Sequence, residues 1–341
     1  MHEAQFYRQG KDDEGKNEVM CELCAHHCRI KDGHRGICGV RENRKGVLYS
    51  LVYGWLVAEH VDPIEKKPLF HVLPGSRSYS ISTVGCNFRC RHCQNFSISQ
   101  PGAFAADAVP GTLRSPEDVV ASALSNGCQS ISYTYVEPTI FFEFAYDCCV
   151  LAREQGLKNI FVSNGYMGDK PTRKLAPVLD AINIDIKAFS DDFYRQICGA
   201  RLQPVLDTVR LMHELGVWVE ITTLVIPGLN DSDAELREIA EFIASVDPSM
   251  PWHVTGFYPT YKLTDRPATS ASSLQKAREI GLAAGLRYVY EGNVPGAGGE
   301  NTACPSCQAR LVSRLGFSIQ ENRLVDGRCP QCGEQIAGVW G

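Results

Sequence analysis

Residues 79–95 read Tyr79-Ser80-Ile81-Ser82-Thr83-Val84-Gly85-Cys86-Asn87-Phe88-Arg89-Cys90-Arg91-His92-Cys93-Gln94-Asn95. Tyr79 to Val84 is a β-prone alternating run, and the glycine after it marks a turn. Three cysteines follow at C-x3-C-x2-C spacing, on a loop leaving the C-terminal end of a strand, where α/β barrels place their active-site loops. Three close thiolates suit a [4Fe-4S] cube and leave one of its four irons open to an outside ligand. The competing readings are a zinc knuckle with a distant fourth ligand, or buried cysteines acting as small apolar side chains.

Downstream, short β-rich runs alternate with amphipathic stretches, the signature of βα units. Strands are expected over Tyr79 to Val84, Ser130 to Tyr135, Asn159 to Ser163, Ala181 to Lys187, Val217 to Val225, His253 to Tyr258 and Arg287 to Tyr290. Helices are expected over Pro116 to Ser125, Pro138 to Gln155, Leu202 to Leu215, Asp231 to Ser245 and Ser273 to Ala284. Seven strands are too few to close an eight-stranded barrel. The expected class is therefore α/β, an open, partial (β/α)6-type barrel over residues 76–296. It is flanked by a cysteine-rich region and extended lead-in over 1–75 and a C-terminal zinc-ribbon or rubredoxin-like module over 297–341.

A chain of 341 residues with 44% hydrophobic content can bury a large core. Its 34 basic and 39 acidic side chains leave a net charge of -5, which argues against nucleic acid and anionic membrane as partners. The start, MHEAQFYRQGKDDEGK, lacks a secretion signal, and no apolar stretch reaches membrane-spanning length, so the expected location is cytoplasmic.

Fifteen cysteines, eleven of them in three groups at short spacing, point in a reducing compartment to metal rather than disulfides. Cys304-x2-Cys307 and Cys329-x2-Cys332, with 21 residues between them, have the paired-knuckle spacing of a closed four-thiolate site. Zinc is favoured there because a small ribbon has little core and metal binding supplies folding energy; iron would make it an electron relay. Cys21, Cys24, Cys28 and Cys38 at C-x2-C-x3-C-x9-C suit zinc, the preferred reading, or a second iron–sulfur cluster, with His26 and His27 as substitute ligands. Cys128, Cys148, Cys149 and Cys198 show no ligand spacing; most are expected to be buried, with Cys198 beside Gly199 a candidate reactive thiol.

The three-cysteine loop resembles the radical S-adenosylmethionine (SAM) superfamily, in the branch that includes pyruvate formate-lyase activating enzyme. Over nearly its whole length the chain is similar to the radical SAM enzymes of the AmmeMemoRadiSam system. The likeness is carried by CELCAHHCRIKDGHRGICGVREN, VDPIEKKPLFHVLPGSRSYSISTVGCNFRCRHCQNFSISQ, YTYVEPT and the terminal cysteine pairs. The resemblance implies that Cys86, Cys90 and Cys93 hold a [4Fe-4S] cluster whose open iron chelates SAM. It further implies reductive cleavage to a 5′-deoxyadenosyl radical, which abstracts hydrogen from a protein, peptide or small-molecule substrate. An electron donor would be the remaining partner.

By the same resemblance His92 packs near the adenine, Glu137 receives the SAM amine, and Ser163 and Asn164 belong to a ribose-contacting turn. Val162 departs from the pattern, standing where the activating enzyme has an acidic residue. In Ala181 to Lys187 the isoleucines alternate with Asn183, Asp185 and Lys187, placing the polar trio on one face. The resemblance assigns Asp185 to the ribose region and Lys187 to the SAM carboxylate; a Lys–Asp pair on a solvated edge strand is the plainer alternative. Glu137 can equally complement the N-terminus of a helix starting near Pro138.

Glu220 and Thr222 share a face, and the absence of a basic residue near Thr222 points to a different substrate from the activating enzymes. His253, Tyr258 and Tyr261 are candidates for a substrate pocket, with core packing an equal explanation of the aromatic residues. A different class of function, a non-catalytic metal-binding module that docks a partner or carries electrons, would produce no 5′-deoxyadenosine.

Overall fold

The computed structural model describes all residues except 101, 103, 106, 107, 295–297 and 341. The boundary expected at residues 296 and 297, and the chain's last residue, therefore lie outside the described residues.

Seven parallel strands form the expected open barrel: β2 (Arg77–Ser82), β3 (Ser130–Tyr133), β4 (Lys158–Ser163), β5 (Ala181–Asp185), β6 (Trp218–Val225), β7 (Trp252–Gly256) and β8 (Val289–Gly292). An eighth, β1 (Ala58–Pro63), pairs antiparallel with β2 and forms one edge of the sheet, β8 forming the other. The sequence reading had placed β1 in an extended lead-in. Six helices cross between successive parallel strands: α1 (Pro116–Ser125), α2 (Phe142–Glu154), α3 (Asp169–Leu175), α4 (Gln203–Glu214), α5 (Asp233–Val246) and α6 (Ala271–Ala283). The short α3 escaped the sequence reading. The helix expected from Pro138 begins as a tight 3-10 turn, Pro138–Phe141, before α2 starts.

Alternation along the strands separates two faces. Ile182, Ile184 and Ile186 are fully buried in the layer between sheet and helices, together with Ile221, Val205 and Val209. Asn183 and Asp185 lie on the other face, in register with Glu220 and Thr222 of β6. Because β5 runs between β4 and β6, the solvated edge-strand alternative for Asp185 and Lys187 does not apply.

The N-terminal ends of the strands form the foot of the barrel, which is closed from below. Ile64, Leu69 and Val72 pack against Ile160 and Ala181, with Trp218 alongside. The Glu220 carboxylate accepts the backbone N–H groups of Phe70 (3.0 Å) and His71 (2.9 Å), which gives this non-sheet segment the partners a strand would have supplied.

The cysteine-rich N-terminus folds as two small antiparallel sheets. One comprises Tyr7–Lys11, Asn17–Cys21 and Arg29–Lys31; the other joins His2–Glu3 to the hairpin Arg41–Arg44/Val47–Ser50. That hairpin turns on Lys45 and Gly46, both at positive φ (54° and 90°), as a two-residue primed turn requires. Val19, Leu23, Ile30, Val40 and Leu48 share the buried cluster of the barrel and its helices. At the other end of the chain, Thr302–Ala303, Arg310–Leu315 and Ser318–Asn322 form a three-stranded ribbon. Its core of Leu311, Val312 and Ile336 is completed by Phe70, Tyr288 and Tyr290 at the foot of the barrel.

Candidate functional site

The loop carrying the three cysteines leaves β2 through Gly85, whose φ of +96° favours glycine. A Cβ there would meet Val40 Cγ1 at 2.6 Å and the Cys38 carbonyl oxygen at 2.8 Å, so the residue also sits where the N-terminal segment closes in. The loop is pinned on three sides. Arg89 N–H and Arg91 N–H donate to the carbonyls of Cys198 (2.7 Å) and Ile197 (2.9 Å). The Arg89 guanidinium donates to the Cys86 carbonyl (2.7 Å) and to that of Ile37. Lys262 N–H donates to the Arg91 carbonyl (2.9 Å), and Tyr261 stacks on Phe96 at 4.7 Å, which brings the loop after β7 against the cysteine loop.

Cys90 is buried, while Cys86 and Cys93 are half-buried. Burial raises the Cys86 and Cys93 thiols; Cys90 is raised by its neighbour Cys198 and then by burial. Metal binding here must therefore displace protons. Cys198 is fully buried beside Cys90 rather than in an accessible loop, which corrects the expectation of a reactive surface thiol.

The candidate residues from three further strands converge at the same end. Glu137, just beyond β3, is 3% exposed, and burial raises its carboxyl. It accepts Thr139 N–H (3.0 Å), Ser163 Oγ–H (2.9 Å) and Asn164 N–H (2.7 Å). The first contact caps the 3-10 turn, so the helix-terminus role is present along with a link to the loop after β4. Asn164 Nδ2 then donates to Asn87 Oδ1 (2.7 Å), between Cys86 and Cys90. A chain of hydrogen bonds thus joins the loops after β2, β3 and β4.

Beyond β5, Lys187 Nζ lies 2.9 Å from Asp185 Oδ2, their side chains 15% and 34% exposed. Burial opposes the Lys187 charge, but Asp185 and the nearby thiols Cys90 and Cys198 raise its pKa well above the usual value. His92 is buried with Nδ1 unpartnered; burial, then the Lys187 charge, lowers it to about 3, so its ring is neutral. Thr222 Oγ1, in register with Asp185, is also buried without a partner.

His253, by contrast, lies at the foot. Its Nε2 is 2.6 Å from Glu220 Oε2, and its ring stacks on Tyr290 at 5.2 Å, so it belongs to the closure of the barrel and not to a substrate pocket. Tyr258 and Tyr261 follow β7 and stand at the open end. Sequence reasoning also missed Asn87 and a lumenal group on β1. There Asp62 holds Lys67 (2.6 Å), Lys66 (2.8 Å) and the Tyr135 hydroxyl. Lys67 is almost fully buried and is lowered by that burial to about 8 despite Asp62. The charged run Asp62-Pro63-Ile64-Glu65-Lys66-Lys67 was the available signal, but only the missed strand β1 turns Asp62 inward.

The Cys304, Cys307, Cys329 and Cys332 sulfurs all lie within 4.8 Å of one another, with Cys304–Cys332 at 3.6 Å and Cys307–Cys329 at 3.7 Å. A metal tetrahedrally bound to sulfur at about 2.3 Å sets sulfur–sulfur edges of about 3.8 Å, so this site is shaped for a single ion. The ribbon is tied to the foot by Arg314, which donates to the Phe70 carbonyl (2.8 Å) and lies 4.2 Å over the Phe70 ring. Cys21, Cys24, Cys28 and Cys38 line one pocket close to the three-cysteine loop. His26 lines the same pocket but spends Nε2–H on the Asn87 carbonyl (2.8 Å). Among the described residues no helix is long and apolar enough to cross a membrane.

Comparison with known proteins gives this arrangement its context. The sequence profile of the Radical SAM superfamily matches residues 80–243, which span β2 to α5. An uncharacterized protein of Methanocaldococcus jannaschii, MJ0808, is 47% identical over 339 residues, covering 98% of this chain and 99% of its own. The pyruvate formate-lyase-activating enzyme of Streptococcus mutans is 25% identical over 199 residues, covering 54% of this chain and 73% of that one. In fold, the chain is similar to Streptococcus suis SuiB in its SAM-bound crystal structure, with a TM-score of 0.51 at 13% identity, covering 69% of this chain and 53% of that one. The matching superfamily profile implies SAM and an iron–sulfur cluster. With its open parallel barrel, its cysteine loop after the first parallel strand, the matching profile and these relatives, the chain belongs to the radical SAM superfamily.

Proposed function

We propose that Cys86, Cys90 and Cys93 hold a [4Fe-4S] cluster with one open iron, and that SAM is bound across the ends of β2 to β5 beside it. The observation that carries this reading is the hydrogen-bond chain Glu137–Asn164–Asn87 around the cysteine loop, next to a buried His92 Nδ1 without a protein partner. Three thiols with soft donor atoms fit iron–sulfur chemistry, and an unpartnered buried polar atom fits a ligand. When bound and reduced, the cluster would supply the electron that splits SAM into methionine and a 5′-deoxyadenosyl radical.

The chain's own residues then have distinct tasks. Glu137 is held rigid by its N–H donors and is the acceptor for the SAM amine. Lys187, kept charged by Asp185, is the cation for its carboxylate, with Asp185 and the Ser163–Asn164 turn on the ribose. His92, neutral, packs on the adenine. The closed foot excludes water from below, so a reactive species formed at the open end meets what enters from that side.

The S. mutans relative is named for activating another enzyme, which makes a partner protein, at a glycine as the resemblance to activating enzymes implies, the first substrate class to test. A peptide or small molecule made with the AmmeMemoRadiSam partner proteins is the second. The C-terminal quartet is read as structural zinc in a ribbon that braces the foot. Anaerobic reduction with SAM is expected to yield 5′-deoxyadenosine, and Cys90→Ala to abolish it; native chain carrying iron and sulfide yet releasing none would refute the reading. Deuterium in that product after incubation with a labelled candidate would identify the hydrogen donor.

A further inference from the structure

We infer that Cys21, Cys24, Cys28 and Cys38 form a second [4Fe-4S] site, closed by four thiolates and set against the SAM-cleaving cluster's loop. The two four-cysteine groups of the chain differ in how their sulfurs are gathered: among the described residues, the C-terminal four lie within 4.8 Å of one another and the N-terminal four form no such close group. In the C-terminal group the sulfurs pair at 3.6 and 3.7 Å, leaving room for one ion. In the N-terminal group the four cysteines surround a pocket whose other walls include Leu23, Ile30, Ile37 and Ile140. Ligands of a cubane each bond a different iron and stand apart around an inorganic core. Thiols that line one pocket without closing into contact suit such a core, whereas a lone zinc ion draws its ligands into contact.

Arg41 supplies an independent observation. It lines the same pocket, is 1% exposed, and has a buried Nε–H without a partner. Its other nitrogens are fixed on Glu143 (2.8 and 3.1 Å) and on the Gln5 carbonyl (2.8 Å), so the guanidinium cannot swing away. Buried donors rarely go unsatisfied. Sulfide or thiolate of an anionic cluster would complete it, and hydrogen bonds to sulfur are among the means by which proteins set cluster potentials.

The location gives the site its use. The Cys38 carbonyl oxygen lies 2.8 Å from where a Gly85 Cβ would stand, and His26 Nε2 is 2.8 Å from the Asn87 carbonyl. Both contacts fall on residues adjoining Cys86. Resting on the proposed SAM-cleaving role of the Cys86 loop, the second cluster is a one-electron store for it. One electron from a low-potential iron–sulfur or flavin protein takes the store from the 2+ to the 1+ state. The same electron passes on to the open cluster, returning the store to 2+ with no bond or proton changed.

The test is metal content and spectroscopy of the full chain carrying Cys86→Ala, Cys90→Ala and Cys93→Ala, reconstituted anaerobically with iron and sulfide. The expected result is about four iron and four sulfide per chain with a reducible cubane signal. Iron near zero with two zinc per chain would overturn the inference. Because that variant can lose its fold, Cys24→Ala with Cys28→Ala in the otherwise native chain is the second arm. It should halve the iron of the native protein and keep the spectrum of the open cluster; unchanged iron would overturn the inference. 5′-Deoxyadenosine release by the native chain tests the underlying reading separately, since the metal count of the triple variant does not depend on it.

Discussion

The two outer cysteine quartets have the same number of thiols and opposite surroundings. The C-terminal quartet sits in a ribbon at the foot, its sulfurs nearly in contact and its core continued by Phe70, Tyr288 and Tyr290. The N-terminal quartet surrounds a pocket at the open end, against the loop that carries Cys86, Cys90 and Cys93. Ligand number alone therefore does not determine what a cysteine group does. How the sulfurs are gathered, and what lies behind them, is what the proposed assignments of one quartet as a brace and the other as a redox centre rest on.

The largest effect expected from breaking this contrast is at the foot. Cys304→Ala with Cys329→Ala should release the ribbon's metal and cost several kcal/mol of stability, on the order of 5, because metal binding supplies folding energy to small ribbons. Zinc analysis and a thermal melt read this out, and iron content should stay unchanged.

Next comes acid. His71 is buried and neutral, lowered to about 4 by burial, with Nδ1–H donated to the Ala337 carbonyl (2.7 Å) and Nε2 accepting from the Tyr290 hydroxyl (2.6 Å). Between pH 6.5 and 4 the unfolded chain binds a proton at His71 that the folded chain excludes, so stability falls as pH drops through that window. The loss is roughly 3 kcal/mol, read from urea midpoints against pH. His71→Gln should flatten the slope, and an unchanged slope would contradict the assignment.

At the seam between the N-terminal quartet and the cysteine loop, Gly85→Ala puts a Cβ against the Cys38 carbonyl at a positive φ. The expected cost is about 2 kcal/mol or more. Iron retention should fall while zinc is kept, the mirror image of the ribbon variant. The smallest effect is that of Glu137→Gln, which turns an acceptor of four donors into a side chain with one N–H₂ end facing them. A loss of about 1–2 kcal/mol in SAM binding, a roughly tenfold rise in KM for SAM, is expected with little change in metal content.

Most of the barrel was legible because its signals are local. Period-two alternation in Ala181 to Lys187 assigned both faces of β5, and the Cys86 loop declared itself by spacing. What escaped depends on tertiary context. β1 is an antiparallel edge strand in a charged stretch, and Phe70 and His71 in the segment after it donate their N–H groups to the Glu220 side chain, which no window of sequence reveals. The same cause hid the bridge from Asn87 to Asn164, residues 77 apart in the chain. His253 looked available because polarity on a strand face does not tell the foot of a barrel from its open end.

The central claim is that an iron held by Cys86, Cys90 and Cys93 has a coordination position that SAM itself fills. Electron–nuclear double resonance of the reduced protein with SAM carrying nitrogen-15 at its amine measures this directly. A strong nitrogen coupling that vanishes in Cys90→Ala is the predicted result. No nitrogen coupling from any cluster of the reduced protein, with the Cys86, Cys90 and Cys93 cluster fully protein-ligated, for instance completed by Cys198, would contradict it.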